Sequence, residues 1–107
     1  MTSPIVTLPN AESPAPGLSG FVFPMLERKA PFGLIIFDVA PGGCTDAHSH
    51  EVHEYWLITA GTSELIYDNV SYTVKAGDLL YFQPHKVHQI VNNTETTLKV
   101  VSMDWHG

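Results

Sequence analysis

From Gly33 onward the chain alternates short apolar runs with turn residues at a spacing near ten residues, and this rhythm constrains the fold most strongly. Runs rich in β-branched and aromatic residues that end at Gly, Pro, Asn or Asp are typical of β-strands. Asp68-Asn69 predicts a hairpin turn. We therefore predict an all-β sandwich or barrel of antiparallel strands. The predicted strands are residues 34–37, 54–60, 63–67, 70–74, 79–82, 87–91 and 97–103.

The N-terminal segment differs from the rest in its proline content. Proline lacks a backbone donor, so residues 1–20 should not form a central strand or a helix. The remaining length is that of one domain, because the whole chain has 107 residues. We predict a Pro-rich arm at 1–20, either a loose tail or an extension across a neighbouring subunit, and a β-barrel domain at 21–107. Only residues 23–29 could supply a helical turn. The arm holds four of the eight prolines, Pro4, Pro9, Pro14 and Pro16.

Charge and cysteine usage narrow the range of partners. The net charge is -6, and the five basic residues are scattered, so a basic face for nucleic acid is not expected. Cys44 is the single cysteine, which excludes an intramolecular disulfide and fits a reducing compartment. The N-terminus lacks signal-peptide features, and no apolar run approaches the roughly 18 to 20 residues of a membrane span. We expect a soluble, cytoplasmic protein with no nucleic-acid or membrane partner.

A set of metal-ligating residue types occurs at fixed spacing. His48-Ser49-His50 is followed by Glu54 after three intervening residues, and His88 lies downstream. Residues two apart in a strand share a face, so His48 and His50 should project together, with Glu54 facing the same interior. A lone strand histidine is usually structural, but three imidazoles and a carboxylate suit one divalent transition metal. The candidates are Mn, Fe, Ni, Zn, Co and Cu.

This spacing resembles the cupin superfamily. Its first motif is G(X)5HXH(X)3,4E(X)6G, and residues 42–61 match it at every position. Its second motif is G(X)5PXG(X)2H(X)3N, in which Gly77, His88 and Asn92 match in identity and register. The resemblance implies a small single-domain cupin with a jelly-roll β-barrel, a structural Asn92 and a homodimeric state. The metal ligands it implies are His48, His50, Glu54 and His88.

The second motif departs from the family pattern in its middle. Gln83 stands where the motif has proline, and His85 stands where it has glycine. Glycine takes positive φ readily and histidine rarely does, so the geometry of this turn is the open question that the sequence poses. His88 keeps its register in spite of the two changes.

Several neighbours of the predicted ligands are candidates for supporting roles. Trp56 and Ile58 share the face of Glu54 and should line a pocket. Asp46 could orient a ligand histidine, although a turn role is the simpler interpretation. Cys44 is a weaker alternative ligand. The catalytic candidates, each weak, are His53, His85 and Tyr81; His53 should point away from Glu54 in a regular strand, and the alternative is a proton-transfer group at the pocket mouth.

The number of coordination positions that the predicted ligands leave open on the metal indicates what the site could do. Three histidines and one carboxylate leave two positions of an octahedral ion open, as in catalytic sites. A small oxygen-rich molecule such as a hydroxyacid, diketone or enediol could chelate there. The favoured hypothesis is therefore a metal-dependent enzyme, with dioxygenase, isomerase, lyase and cyclase chemistry all open. The alternative is a non-catalytic module that binds or senses a sugar-like small molecule.

Overall fold

The computed structural model describes residues 12–22 and 31–106, and within these ranges the chain forms antiparallel strands and no helix. The all-β prediction is confirmed, and the helical turn predicted at 23–29 lies outside the described residues. Nor do the described ranges contain a helix long and apolar enough to cross a bilayer. The strands are β1 (Glu12–Ala15), β2 (Leu18–Val22), β3 (Gly33–Val39), β4 (His53–Ala60), β5 (Thr62–Tyr67), β6 (Val70–Lys75), β7 (Leu79–Phe82), β8 (His88–Val91) and β9 (Leu98–Trp105).

The strands form two sheets with the hydrophobic core between them. One sheet has the order β1-β2-β3-β9-β4-β7 and the other β6-β5-β8. Strand β4 alternates strictly, so Glu54, Trp56 and Ile58 are buried while Tyr55 and Leu57 are exposed. This alternation fixes which side chains reach the interior. The buried apolar residues come from both sheets: Val39, Trp56, Ile58, Leu65, Val74, Phe82, Ile90, Leu98 and Val100.

The described part of the Pro-rich arm is β-structure. Strand β1 carries Pro14 and lies at the edge of the larger sheet, where a missing N–H donor is tolerated. Strand β2 has no proline and lies between β1 and β3, with Leu18 opposite Val39. The expectation that no part of this segment would form an internal strand was therefore wrong for β2. The domain boundary at residue 20 stays a prediction, and β2 runs across it without a break.

Two turns contain residues with positive φ, and their sequences suit that conformation. Asp68 and Asn69 have φ values of 49° and 67° and join β5 to β6, so the predicted hairpin is confirmed. Gly61 ends the first motif with φ of 89°, and a Cβ there would lie 2.5 Å from the carbonyl oxygen of Thr97. Only glycine allows this approach, which keeps the end of β4 against the start of β9.

Candidate metal centre

Backbone pairing brings the candidate histidines together. The irregular segment between β3 and β4 runs antiparallel to β8, with Thr45 N–H donating to the Ile90 carbonyl at 3.0 Å. His48 and His88 lie directly opposite each other. The His88 N–H donates to the His48 carbonyl at 3.0 Å, and the His48 N–H donates to the His88 carbonyl at 3.3 Å. Main-chain hydrogen bonds therefore place the two imidazoles side by side.

The three imidazoles converge on one point. One ring nitrogen from each of His48, His50 and His88 lies within 4.8 Å of the others. The ring centroids are separated by 4.5 Å for His48 and His50, 4.8 Å for His48 and His88, and 5.4 Å for His50 and His88. His88 is 2% exposed, and Phe82 stacks on its ring at 4.4 Å. The sequence prediction that these histidines share one site agrees with this arrangement.

Glu54 uses its two carboxylate oxygens differently. Oε2 accepts hydrogen bonds from Trp56 Nε1 at 2.8 Å and from Ser102 Oγ at 2.7 Å. Oε1 lies 3.4 Å from His88 Nε2 and 3.9 Å from His50 Nε2. The carboxylate is therefore anchored through one oxygen, and the other oxygen is directed at the imidazoles. Ser102 was not among the predicted site residues, and its signal in the sequence was a polar residue on the inward side of an apolar strand.

Three buried atoms at this point have no hydrogen-bond partner among the described residues. They are Glu54 Oε1 and both ring nitrogens of His88. Buried polar groups without partners are rare and costly, and a binding site for an ion is one of the usual reasons for them. A divalent cation would satisfy Oε1 and one nitrogen of His88 together. The residues present therefore fit a metal ion.

The protonation states favour metal binding as well. Burial lowers the pKa of His88 to about 4; the Glu54 carboxylate raises it, and His48 and His50 lower it further. His88 is therefore neutral near pH 7 and keeps a lone pair. The Nδ1 of His48 lies 2.7 Å from the Asp46 carbonyl oxygen, which can only accept, so Nδ1 is the donor and Nε2 is the nitrogen that could bind a metal. Asp46 thus holds His48 as suggested, but through its backbone carbonyl.

The turn before His88 keeps the geometry of a glycine turn. His85 has φ of 67°, in the left-handed region that glycine normally supplies. Its N–H donates to the carbonyl of His50 at 2.7 Å, which ties this turn to the segment carrying the first two histidines. At the position where the family motif has glycine, His85 therefore adopts the left-handed conformation that glycine takes readily. The His85 residue is exposed.

A cavity of about 360 Å³ opens beside the histidine cluster. Trp56 lines it as predicted, whereas Ile58 is 1% exposed and belongs to the core instead. The inward face of β4 therefore lines the cavity at one end and packs in the hydrophobic core at the other, because the cavity reaches only one end of the strand. The lining residues are Leu18, Ser19, Gly20, Ile35, Phe37, Thr45, His48, His50, Glu54, Trp56 and Ser102.

Two of the catalytic candidates lie on the other face of the larger sheet. His53 Nδ1 is 2.6 Å from the Tyr81 hydroxyl, and its ring stacks on Trp105 with centroids 5.4 Å apart. As expected, His53 points away from Glu54. Neither His53 nor Tyr81 lines the cavity. A catalytic role for His53, Tyr81 or His85 stays a prediction that this geometry does not favour.

The remaining motif residues have structural surroundings. Asn92 is fully buried, and its Nδ2 donates to the carbonyls of Val39 at 2.9 Å and Thr96 at 2.8 Å. It thereby joins the ends of β3 and β8 to the loop before β9, in line with the structural role that the resemblance implies. Cys44 is exposed and is not part of the cluster of possible ligands found in the described ranges.

Comparison with known proteins places this geometry in a family context. The cupin domain family model matches residues 35–104. A cupin 2 conserved barrel domain protein from Salinispora arenicola is 28% identical, with a TM-score of 0.87 over 100% of this chain and 92% of that one. A predicted oxalate decarboxylase from Thermotoga maritima is 18% identical, with a TM-score of 0.81 over 94% and 93%. A polyketide cyclase from Streptomyces resistomycificus is 20% identical, with a TM-score of 0.81 over 97% and 79%.

Proposed function

This chain belongs to the cupin domain family, and from that premise we propose that it is a metal-dependent enzyme acting on a small oxygen-bearing molecule. The predicted small cupin with an antiparallel jelly-roll fold is confirmed. The observation that carries the proposal is the pair of unpartnered atoms Glu54 Oε1 and His88 Nε2, buried 3.4 Å apart beside two further imidazoles. An open cavity adjoins them, as a substrate site requires.

Four residues would hold the metal: His48, His50, Glu54 and His88. Their donor set suits a divalent Mn, Fe, Co, Ni, Cu or Zn ion. When bound, the metal supplies Lewis-acid chemistry at positions that the protein leaves free. Trp56 and Ser102 hold Glu54 in place through its other oxygen, and such partners usually matter for affinity.

The fold does not determine which reaction the protein would catalyse. The two enzymes with similar structures, a predicted oxalate decarboxylase and a polyketide cyclase, share the fold although their reactions differ. We keep dioxygenase, isomerase, lyase and cyclase chemistry as the candidate classes. All of them require a substrate whose oxygen atoms reach the metal.

A second candidate function is binding or sensing without catalysis. Apart from the proposed ligands, the described lining of the cavity contains no titratable side chain; its other polar residues are Ser19, Thr45, Trp56 and Ser102. General acid–base catalysis normally uses a titratable group within reach of the substrate. This lining therefore favours a module that holds a small molecule on the metal.

Metal content tests the ligand assignment. Protein purified without added metal or a histidine tag should contain a first-row ion near one equivalent by inductively coupled plasma mass spectrometry. His50→Ala and His88→Ala should each lose most of it, whereas His106→Ala, outside the cluster, should retain it. Equal loss in all three variants, or in none, would contradict the assignment.

Turnover separates the two candidate functions. The metal-loaded protein is incubated with hydroxyacids, diketones and enediols, in air and without oxygen, and products are followed by mass spectrometry. Product formation that disappears in His88→Ala supports the enzyme. Ligand binding without any product, seen by NMR in the same samples, supports the sensing module.

We also propose that the protein is a homodimer built on the outer face of the larger sheet. Tyr55 is opposite Tyr81 and Met103, and Leu57 is opposite Leu79. All five side chains are exposed, and Leu79 reaches 61%. A contiguous apolar patch of this kind is typical of an interface, and a second copy would cover it with the same residues.

Sedimentation velocity tests the dimer. Leu57→Lys should shift the protein to the monomer, because a charge is placed in the centre of the patch. Val70→Lys is the matched control, since Val70 is 51% exposed but lies on the smaller sheet. A wild-type protein that sediments as a monomer would remove the proposal.

We propose a cytoplasmic location, which is supported by Cys44, a free and exposed thiol among the described residues. Exposed free thiols persist best in a reducing compartment. Cell fractionation with antibody detection checks this, and recovery from an oxidising compartment would contradict it.

A further inference from the structure

The cavity beside the histidine cluster has two kinds of wall. At one end are His48, His50 and Glu54. Much of the remaining wall is apolar and comes from β2, β3 and β4, where Leu18, Ile35 and Phe37 join Trp56. The hydroxyls of Ser19, Thr45 and Ser102 also line the cavity; that of Ser102 already donates to Glu54, and that of Thr45 already accepts the Ile90 N–H. A ligand that reaches the imidazoles must therefore place most of the rest of its body against apolar side chains.

The aromatic part of this wall has a defined shape. Phe37 and Trp56 meet edge to face, with ring centroids 5.2 Å apart and planes at 72°. A hydrogen bond also fixes the Trp56 ring, because its Nε1 donates to Glu54. Fixed rings of this kind present flat surfaces and edges that favour another ring. The volume of about 360 Å³ suits a small molecule of that type.

The described lining offers no positive side chain. Within the described ranges, the lysines form surface pairs, Lys75 with Asp78, Lys86 with Asp68 and Lys99 with Asp38. None of these residues lines the cavity. A phosphate or a second carboxylate placed away from the metal would lose its hydration against these described walls without gaining an ion pair from them, which is unfavourable.

We infer that the ligand of this site has an apolar, ring-bearing body and one chelating pair of oxygen atoms, and that it carries no phosphate. This inference rests on the proposed function for the chelating pair, which the metal would bind. It narrows the oxygen-rich substrates considered above, and it makes sugar-like ligands with many hydroxyl groups poor candidates. The apolar walls supply selectivity for the body, and the metal supplies selectivity for the oxygens.

A matched series of α-hydroxy acids tests the inference. Lactate, mandelate and 3-phosphoglycerate share one chelating α-hydroxycarboxylate group but carry a methyl, a phenyl and a phosphooxymethyl body. Each is titrated by NMR into protein loaded with zinc, which cannot change oxidation state. Burial of the phenyl ring should make mandelate bind at least about tenfold more tightly than lactate. 3-Phosphoglycerate should bind no more tightly than lactate.

Two neighbouring residues on β3 provide matched variants. Ile35 faces the cavity, and Ile36 is the next residue of the strand and therefore points to the opposite face. Ile35→Thr should reduce the preference for mandelate several-fold, whereas Ile36→Thr should leave it unchanged. Both variants are compared at equal zinc content, so a loss of folding is detected separately. Equal effects of the two substitutions would contradict the inference.

The outcomes separate this inference from the proposed function. If zinc binds but mandelate gains nothing over lactate, or 3-phosphoglycerate binds most tightly, the apolar ligand is wrong and the metal site stands. If no zinc binds, the metal proposal is wrong, and benzyl alcohol is titrated into the metal-free protein. Methyl shifts at Leu18 and Ile35 but not at Ile36 would then support the apolar cavity, and their absence would overturn it.

Discussion

The inner and outer faces of β4 carry histidine contacts of opposite character. On the outer face, His53 hydrogen-bonds to Tyr81 and stacks on Trp105. On the inner face, Glu54 Oε1 lies 3.4 Å from His88 Nε2, and neither atom has a hydrogen-bond partner among the described residues. The outer histidine thus has a hydrogen-bond partner for its Nδ1, whereas neither ring nitrogen of the inner histidine, His88, has a partner among the described residues.

This difference distinguishes a structural histidine from a candidate metal ligand. Exposure alone would not do so, because Asn92 is as buried as His88 yet has partners for its amide. The informative property is a buried donor or acceptor that the surrounding protein could have satisfied but leaves open. Substitutions on one face of the sheet at a time test this distinction.

The largest effect is expected for Glu54→Gln. The substitution removes the carboxylate from the proposed ligand set, so metal affinity should fall by at least about 100-fold, more than the loss of a residue that only supports a ligand usually costs. The new amide can donate to His88 Nε2, so the metal-free protein should gain about 1 kcal/mol in free energy of unfolding. Competition with a chromophoric chelator and urea denaturation measure the two quantities.

Glu64→Gln is the control, because Glu64 also accepts a serine hydrogen bond but from exposed Ser71. It should leave metal affinity unchanged. A parallel fall in both variants would show that loss of charge, and not the inner site, caused the effect.

A pH dependence is expected next. The pKa of His88 is about 4 in the folded protein, against an ordinary value of 6.5, so the unfolded state binds its proton more readily. The free energy of unfolding of metal-free protein should therefore fall as the pH drops from about 6.5 to about 4, by roughly 2 kcal/mol. Urea denaturation at several pH values measures this, and an equally steep fall in His88→Gln would assign it to other groups.

Ser102→Ala should have a smaller effect on the same face. It removes one of two hydrogen bonds to Glu54 Oε2, and Trp56 keeps the other. Metal affinity should fall about tenfold, the lower end of the range for such partners. Ser71→Ala removes an exposed serine–glutamate hydrogen bond and should leave affinity as it was. No change in Ser102→Ala would mean that Glu54 is held by Trp56 alone.

The smallest effect is expected on the outer face. Tyr81→Phe removes the hydrogen bond to His53 but keeps the ring, so the free energy of unfolding should fall by about 1 kcal/mol or less. Metal affinity should not change, because the pair lies across the sheet from the cluster. A clear loss of metal or turnover in this variant would revive the catalytic role predicted for Tyr81 and His53.

The sequence predicted the strands from residue 33 onward well, since each of β3 to β9 overlaps its predicted range. Alternation and turn residues are local signals, and they suffice for elements of this kind. Strand β2 was missed because neighbouring prolines argued against an internal strand. Its pairing with β3 depends on tertiary context that local sequence does not contain.

The candidate site was predicted in part. The motif spacing identified the histidines and Glu54, which the backbone pairing then brings together. The two different roles of the Glu54 oxygens could not be predicted, because they depend on Ser102 from a distant strand. Likewise, Trp56 and Ile58 share a face, and only the position of the cavity separates them.

The backbone hydrogen bonds between His48 and His88, and between His85 and His50, have a consequence for how such a protein can evolve. They hold the two ligand-bearing segments together through main-chain atoms, which every amino acid except proline provides in full. A histidine here can therefore be replaced by another ligand type while the segments keep their separation. On the proposed function, a lineage built on this scaffold could change which ion it prefers through single substitutions, and an engineer could follow the same route.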